Sequence, residues 1–172
     1  MKSYLIVVDM QNDFVDGALG TPEAQAILPY VKSLINDFSG EIIYTRDTHS
    51  EDYLSTREGR HLPVKHCTLG TQGWQIVDGI YKPGSRVFDK PTFGSYELAE
   101  FLFAENEREP ITDVTLIGVC TDICVVSNAM LIKARLPEID VCVDSRACAG
   151  VTPASHDAAL ATMGMCQIII KR

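Results

Sequence analysis

The chain predicts an α/β fold: a doubly wound, Rossmann-like, mostly parallel sheet with helices on both faces, in a single domain over residues 1–172. Three observations predict it. Short β-branched apolar runs alternate with helical patterns, as βαβ crossovers require. The runs are continuous rather than alternating apolar with polar, the mark of strands buried on both faces. With 172 residues, 46% of them hydrophobic and 22% charged, the chain can bury a sizeable core without covalent staples.

The first strand is Tyr4 to Val8, an apolar run ending at Asp9. Pro22 to Phe38 follows as a helix, apolar at Ile27, Val31, Leu34, Ile35 and Phe38, with a bend expected at Pro29. Glu41 to Tyr44 is the second strand and Arg86 to Phe88 a short further candidate. Between them, Thr45 to Ser85 has little apolar period and is rich in His, Glu, Gly and Pro; an irregular stretch of that length is usually functional. Ser95 is an N-cap for a helix from Tyr96 to Asn106, with Glu97 and Glu100 near its positive end. Val114 to Val119 is the next strand, followed by a helix from Ile123 to Leu136 that stops before Pro137. Ile139 to Val143 is a strand. Thr152 then caps a helix from Pro153 to Met163, and Gln167 to Ile170 closes the sheet.

A net charge of -8 disfavours nucleic acid and anionic membrane surfaces, which select basic patches, and leaves small-molecule chemistry as the expected business of the chain. No run approaches the roughly 18 apolar residues that span a bilayer. The six cysteines (Cys67, Cys120, Cys124, Cys142, Cys148, Cys166) show no zinc-finger spacing. Without an export signal they read as reduced thiols of a cytoplasmic protein.

In open α/β sheets, ligands bind outside the carboxyl ends of the strands. The residues there are Asp9, the Asp47/His49 pair, the Asp89/Lys90 pair, the Cys120 to Cys124 turn and Asp144. Cys124 falls in the first turn of a helix that follows a buried strand, where backbone amides lower a thiol pKa and can hold an oxyanion. Cys120 is a rival nucleophile, better placed as a donor of its backbone amide. Asp9 can take the thiol proton and return it to a leaving amine. Lys90, held extended by Pro91, can balance the charge of both. Asp47 and His49 put two ligand side chains on one side of an extended segment. Glu58 and His66 complete a mixed N/O set suited to one divalent ion, zinc first, then iron or manganese. By spacing alone, His61 serves as well as His66. Phe14, Trp74 and Tyr96 are aromatics near these loops that could stack on a flat ring.

With these residues in view, the chain resembles the nicotinamidase/pyrazinamidase branch of the isochorismatase-like cysteine hydrolases. The likeness is carried by Val8-Asp9-Met10-Gln11-Asn12-Asp13-Phe14, Thr45-Arg46-Asp47-Thr48-His49, Pro63-Val64-Lys65-His66-Cys67 with Gly70-Thr71, Asp89-Lys90-Pro91-Thr92-Phe93-Gly94-Ser95 and Gly118-Val119-Cys120-Thr121-Asp122-Ile123-Cys124-Val125. The resemblance implies an Asp9–Lys90–Cys124 triad, an oxyanion held by the backbone amides of Cys120 and Cys124, and a cis peptide at Val119–Cys120. It implies metal ligands at Asp47, His49 and His66, with Glu58 as a variable fourth. It also implies a substrate pocket at Phe14 and Val119, and family members are often homo-oligomers. Two departures stand out. Glu51, Asp52 and Tyr53 occupy the place of a second histidine after the Asp-x-His pair. Leu62-Pro63 replaces the aromatic expected shortly before His66, which leaves one pocket wall unassigned.

The expected activity is hydrolysis of nicotinamide to nicotinate and ammonia through a Cys124 thioester, with the pyridine ring anchored on the metal. The nearer alternative is a cysteine amidase acting on a carbamoyl, ureido or other small amide. The more distant one is a catalytically silent domain that binds a small molecule or a protein.

Overall fold

The computed structural model describes residues 2–172. Six strands form one sheet: β1 (Lys2–Val8), β2 (Glu41–Asp47), β3 (Arg86–Lys90), β4 (Ile111–Val119), β5 (Asp140–Ala149) and β6 (Ile169–Lys171). Their order is β3-β2-β1-β4-β5-β6, and every pairing is parallel. The helices are α1 (Asn12–Val15), α2 (Pro22–Asp37), α3 (Arg57–His61), α4 (Tyr96–Arg108), α5 (Val126–Arg135) and α6 (Pro153–Met165).

The continuous apolar runs are explained by two packed layers. Side chains alternate across a strand, so β1 sends Tyr4, Ile6 and Val8 to one face and Leu5 and Val7 to the other. The first set packs with Leu98 and Leu102 of α4, Ala129 and Ile132 of α5, and Leu160 and Met163 of α6. The second packs with Phe14 and Val15 of α1 and Ala24, Val31 and Ile35 of α2. A polar residue on either face of β1 would be buried, hence the unbroken apolar run.

Local signals set the helix starts. Thr21 and Ser95 accept hydrogen bonds from Ala24 N–H and Leu98 N–H at 3.1 Å each, and Thr152 forms a reciprocal capping box with Ser155. Pro29 lies inside α2, which continues unbroken on both sides of it. The helix expected from Ile123 begins instead as a π-type turn over Thr121–Val125 and becomes α-helical at Val126. The ladder between β4 and β5 shifts register after Leu116–Val143 and resumes at Gly118–Cys148, which carries β5 six residues beyond the expected Val143. Asp144 is therefore within β5 rather than at its end. It is engaged with the Tyr30 hydroxyl at 3.1 Å and with Arg146 Nη2 at 3.0 Å, and it lines no part of the site described below.

Winding reverses between β1 and β4: β2 and β3 lie to one side, β5 and β6 to the other. The ends of β1 and β4 therefore flank a switch-point crevice. Gly118, at φ +116°, lets the strands approach there; a Cβ on it would lie 2.1 Å from the carbonyl oxygen of Val8. The long segment after β2 carries a 3₁₀ turn at Tyr53–Ser55 and the short α3, and otherwise runs without strands to β3. It is pinned by the Tyr44 hydroxyl, which donates to Ile80 O at 2.6 Å, and by bridges from Gln11 to Ile76 and His49 to Thr68.

Candidate active site

Three strand ends and one turn meet at the crevice. Asp9 follows β1 in a left-handed conformation (φ 47°) and is fully buried. Its backbone N–H bonds Thr45 O of β2, and the Thr45 hydroxyl donates to Asp9 Oδ1 at 2.6 Å. Lys90 ends β3, and only 2% of it is exposed. Its Nζ lies 2.6 Å from Asp9 Oδ2, 3.5 Å from Cys124 Sγ and 3.9 Å from Asp47 Oδ1, and it donates to Thr92 O at 3.1 Å. Cys124 is buried in the turn after β4, and the Val119–Cys120 peptide is cis. Asp9 and Cys124 thus meet at the Lys90 ammonium, which brings together the three residues named from the sequence.

Burial is what chiefly raises the carboxyl pKa of Asp9, with Lys90 opposing. Burial also pushes the Cys124 thiol well above its ordinary value, Asp9 adding to the effect and Lys90 resisting it. For Lys90, burial alone would favour the neutral amine, but Asp9, Cys124 and Asp47 outweigh it and hold the ammonium charged. A neutral thiol beside a basic carboxylate and a fixed cation is an arrangement that can move one proton from sulfur to oxygen.

Next to the triad, Asp47, His49, Glu58 and His66 bring one ligand atom each within 4.8 Å of one another. His49 Nε2 lies 2.9 Å from Asp47 Oδ2 and 3.6 Å from Glu58 Oε1; His66 Nε2 is 3.4 Å from Asp47 Oδ2. The set fits a divalent ion on two observations. His49 Nε2 is buried without a well-directed hydrogen bond, and His66 Nδ1 is engaged by Val64 O at 2.8 Å, which directs Nε2 at the cluster. Burial would raise Asp47, but His49 and His66 outweigh it and hold its carboxyl well below the usual range. His61 is excluded: it is exposed on α3, its Nδ1 against Arg57 O at 2.9 Å. Tyr53, at the position where a second histidine was expected, packs its ring 4.6 Å from His49 and 5.0 Å from His66. Glu51 and Asp52 point to solvent.

A cavity of about 280 Å³ joins the triad to this cluster. Cys120, Cys124, Asp47, Glu58 and His66 form its reactive side, and Phe14, Leu19, Leu62, Phe93, Ile123 and Val151 its apolar walls. Val119 does not line it. That residue still pairs with Ala149 in the sheet and is buried in the layer beneath α2. Trp74 is also elsewhere, stacked under the Arg46 guanidinium at 3.6 Å, and Tyr96 is 75% exposed on α4. Sequence reasoning missed Thr45 and Gln11 as supports. Gln11 clamps Asp47, accepting from its N–H at 2.8 Å and donating to its carbonyl at 2.9 Å. Both lie inside quoted motifs, so the signal was present but unassigned.

A model of the isochorismatase domain matches residues 3–171. The chain belongs to the isochorismatase family. Relatives include the nicotinamidase of Schizosaccharomyces pombe, 28% identical over 165 residues that cover 73% of this chain and 74% of that protein. Among solved structures, the pyrazinamidase of Pyrococcus horikoshii in complex with zinc superposes at a TM-score of 0.85 with 30% identity, covering 100% of this chain and 99% of that one. An N-carbamoylsarcosine amidase from Thermoplasma acidophilum superposes at 0.81 with 28% identity, covering 100% and 96%. This member of the isochorismatase family is a hydrolase. Among the described residues, no helix is long and apolar enough to cross a membrane.

Proposed function

We propose that this hydrolase is a nicotinamidase, releasing nicotinate and ammonia from nicotinamide through a covalent Cys124 intermediate. The observation that carries the reading is the joining of the Asp9–Lys90–Cys124 cluster to the Asp47/His49/Glu58/His66 group by one small apolar cavity. A divalent ion, zinc foremost, held by those four residues would supply a Lewis-acidic partner for a ring nitrogen. Asp9 accepts the Cys124 proton as Sγ bonds to the amide carbon, and the carbonyl electron pair moves onto oxygen. The backbone N–H groups of Cys120 and Cys124 hold that oxyanion. Collapse breaks the C–N bond, and Asp9 delivers the proton to the departing ammonia. Water then adds to the thioester with Asp9 as base, the C–S bond breaks, and nicotinate leaves with the thiol restored. Lys90 keeps its charge throughout.

The likeness to an N-carbamoylsarcosine amidase supports a second reading, a carbamoyl amide that carries its own carboxylate. The cavity speaks against it: among the described residues, no arginine or lysine lines it, while Asp47 and Glu58 do. A carboxylate there would lack a partner and face two acids.

Ammonia release from nicotinamide tests the proposal, with N-carbamoylsarcosine and a Cys124→Ala variant alongside. Release from nicotinamide that vanishes in the variant is the expected result. Release from N-carbamoylsarcosine alone, or turnover retained without Cys124, overturns it.

A further inference from the structure

Phe93 stands on the loop between β3 and α4 with 46% of its surface exposed. It lines the 280 Å³ cavity beside Cys124 and also an outer concavity of about 450 Å³ that includes Arg57, His61, Pro91 and Thr92. Among the described residues, only Phe93 and Glu58 border both. Glu58 belongs to the ligand cluster, so the Phe93 ring is the adjustable part of the partition.

An exposed aromatic on a short loop would ordinarily swing among rotamers. Asn128 restrains the backbone that carries this one. Its side chain is fully buried in α5, one turn beyond Cys124. Nδ2 donates to Cys124 O at 2.8 Å and to Phe93 O at 3.3 Å, and Oδ1 accepts from Ser95 N–H at 3.0 Å. One amide thus joins the nucleophile turn to the loop on both sides of Gly94. Lys90 holds the other end through its bond to Thr92 O. A buried amide whose partners are all backbone groups of two site segments sets a distance between them.

We propose that Phe93 determines substrate size by closing the slot against the outer concavity, and that Asn128 is the positioning residue that fixes Phe93 relative to Cys124. The proposal rests on the amide-hydrolase reading and narrows its substrate class to single-ring amides. With the ring in place, a monocyclic carboxamide fits and a fused bicyclic one is turned away. Without it, the two concavities merge beside the nucleophile. Phe93 thereby supplies the wall that Leu62 is too short to form alone.

The test compares kcat/KM for nicotinamide and quinoline-3-carboxamide, which is nicotinamide with a second ring fused to it. Phe93→Ala should raise the bicyclic-to-monocyclic ratio about tenfold or more, with Phe93→Leu between it and wild type. Asn128→Thr keeps a hydroxyl that can bond Cys124 O one turn back but cannot tether the loop. It should shift the ratio the same way with Phe93 intact. An unchanged ratio in Phe93→Ala overturns the partition. Equal losses on both amides in Asn128→Thr would leave Asn128 merely structural and overturn its positioning role. If wild type hydrolyses neither amide, the substrate reading fails by itself. The partition is then read from alkylation of Cys124 by iodoacetamide and by N-(1-naphthyl)iodoacetamide. Phe93→Ala should speed the bulky reagent about tenfold relative to the small one, and equal ratios in the two proteins overturn the idea.

Discussion

Two lysines at opposite ends of the sheet meet similar partners and do different things. Lys2, at the start of β1, places Nζ 3.0 Å from Glu105, 3.2 Å from Glu41 and 4.0 Å from Glu109, with 27% of its side chain exposed. Lys90, at the end of β3, places Nζ 2.6 Å from Asp9 and 3.9 Å from Asp47, with 1% exposed. The glutamates around Lys2 raise its pKa at a partly open edge where water and salt reach the cluster and screen it. Around Lys90 there is no such solvent. Asp9 and Cys124 are raised by burial, and each charge state depends on the others. An ion-pair cluster becomes chemical machinery where the protein, rather than water, decides where the proton sits.

The sharpest way to break this contrast is to remove each lysine in turn. Lys90→Met should lower kcat/KM by about a thousandfold or more and, by leaving buried carboxylates unpaired, cost roughly 3–5 kcal/mol of stability in denaturant unfolding. Adding Asp9→Asn should restore much of the stability and none of the activity. Lys2→Met should leave kcat/KM unchanged. Similar activity losses in the two lysine variants would show that the amino-end cluster also serves the reaction.

A smaller effect is expected from the ligand group. His66→Ala should remove bound metal in elemental analysis and weaken substrate binding by at least the roughly 10–100-fold that losing even an outer-shell partner of a metal site costs. His61→Ala should change neither. Metal retained in His66→Ala would return His61 to the ligand set.

The proton account predicts a pH profile. A thiol raised well above its ordinary value keeps its proton at neutral pH, so thiolate forms only as pH climbs toward that raised value. Alkylation of Cys124 in the folded enzyme should be far from its limiting rate at the pH, about 8.5, where the same thiol in the denatured chain reaches half of its own, and should still be climbing where the denatured chain has levelled off. A plateau below pH 8 in the folded protein would mean a resting thiolate. The smallest expected effect is that of salt. At about 1 M, where the screening length is roughly 3 Å, any stability difference between wild type and Lys2→Met should shrink, while that for Lys90→Met persists.

The strand and helix order was legible because each signal is local. β1 is apolar from Tyr4 to Val8 since both of its faces are covered there, and Thr21, Ser95 and Thr152 cap the helices whose starts they mark. Register was less so. The shift between Leu116 and Gly118 carried β5 past Asp144, because pairing depends on the neighbouring strand and not on β5's own residues. Strand ends point to one edge of a parallel sheet, which made Asp9, Lys90 and Cys124 candidates, and the family resemblance grouped them as a triad. The metal group was nameable only as a set of candidates.

The residues by themselves determined a doubly wound α/β sheet, strand-end candidates at Asp9, Lys90 and Cys124, and a ligand-rich segment after β2. Periodicity and turn chemistry act over a few residues, so they can be read along the chain. The tertiary structure alone decided that His66 and not His61 faces Asp47, that Val119 belongs to the core, and that Phe93 lines the pocket. Those outcomes depend on contacts between segments far apart in sequence: Val64 O turning the His66 ring, Tyr53 filling the space beside both histidines, and Asn128 joining the Cys124 turn to the Phe93 loop. Spacing along the chain carries no information on such convergence, since it is packing that brings these groups together.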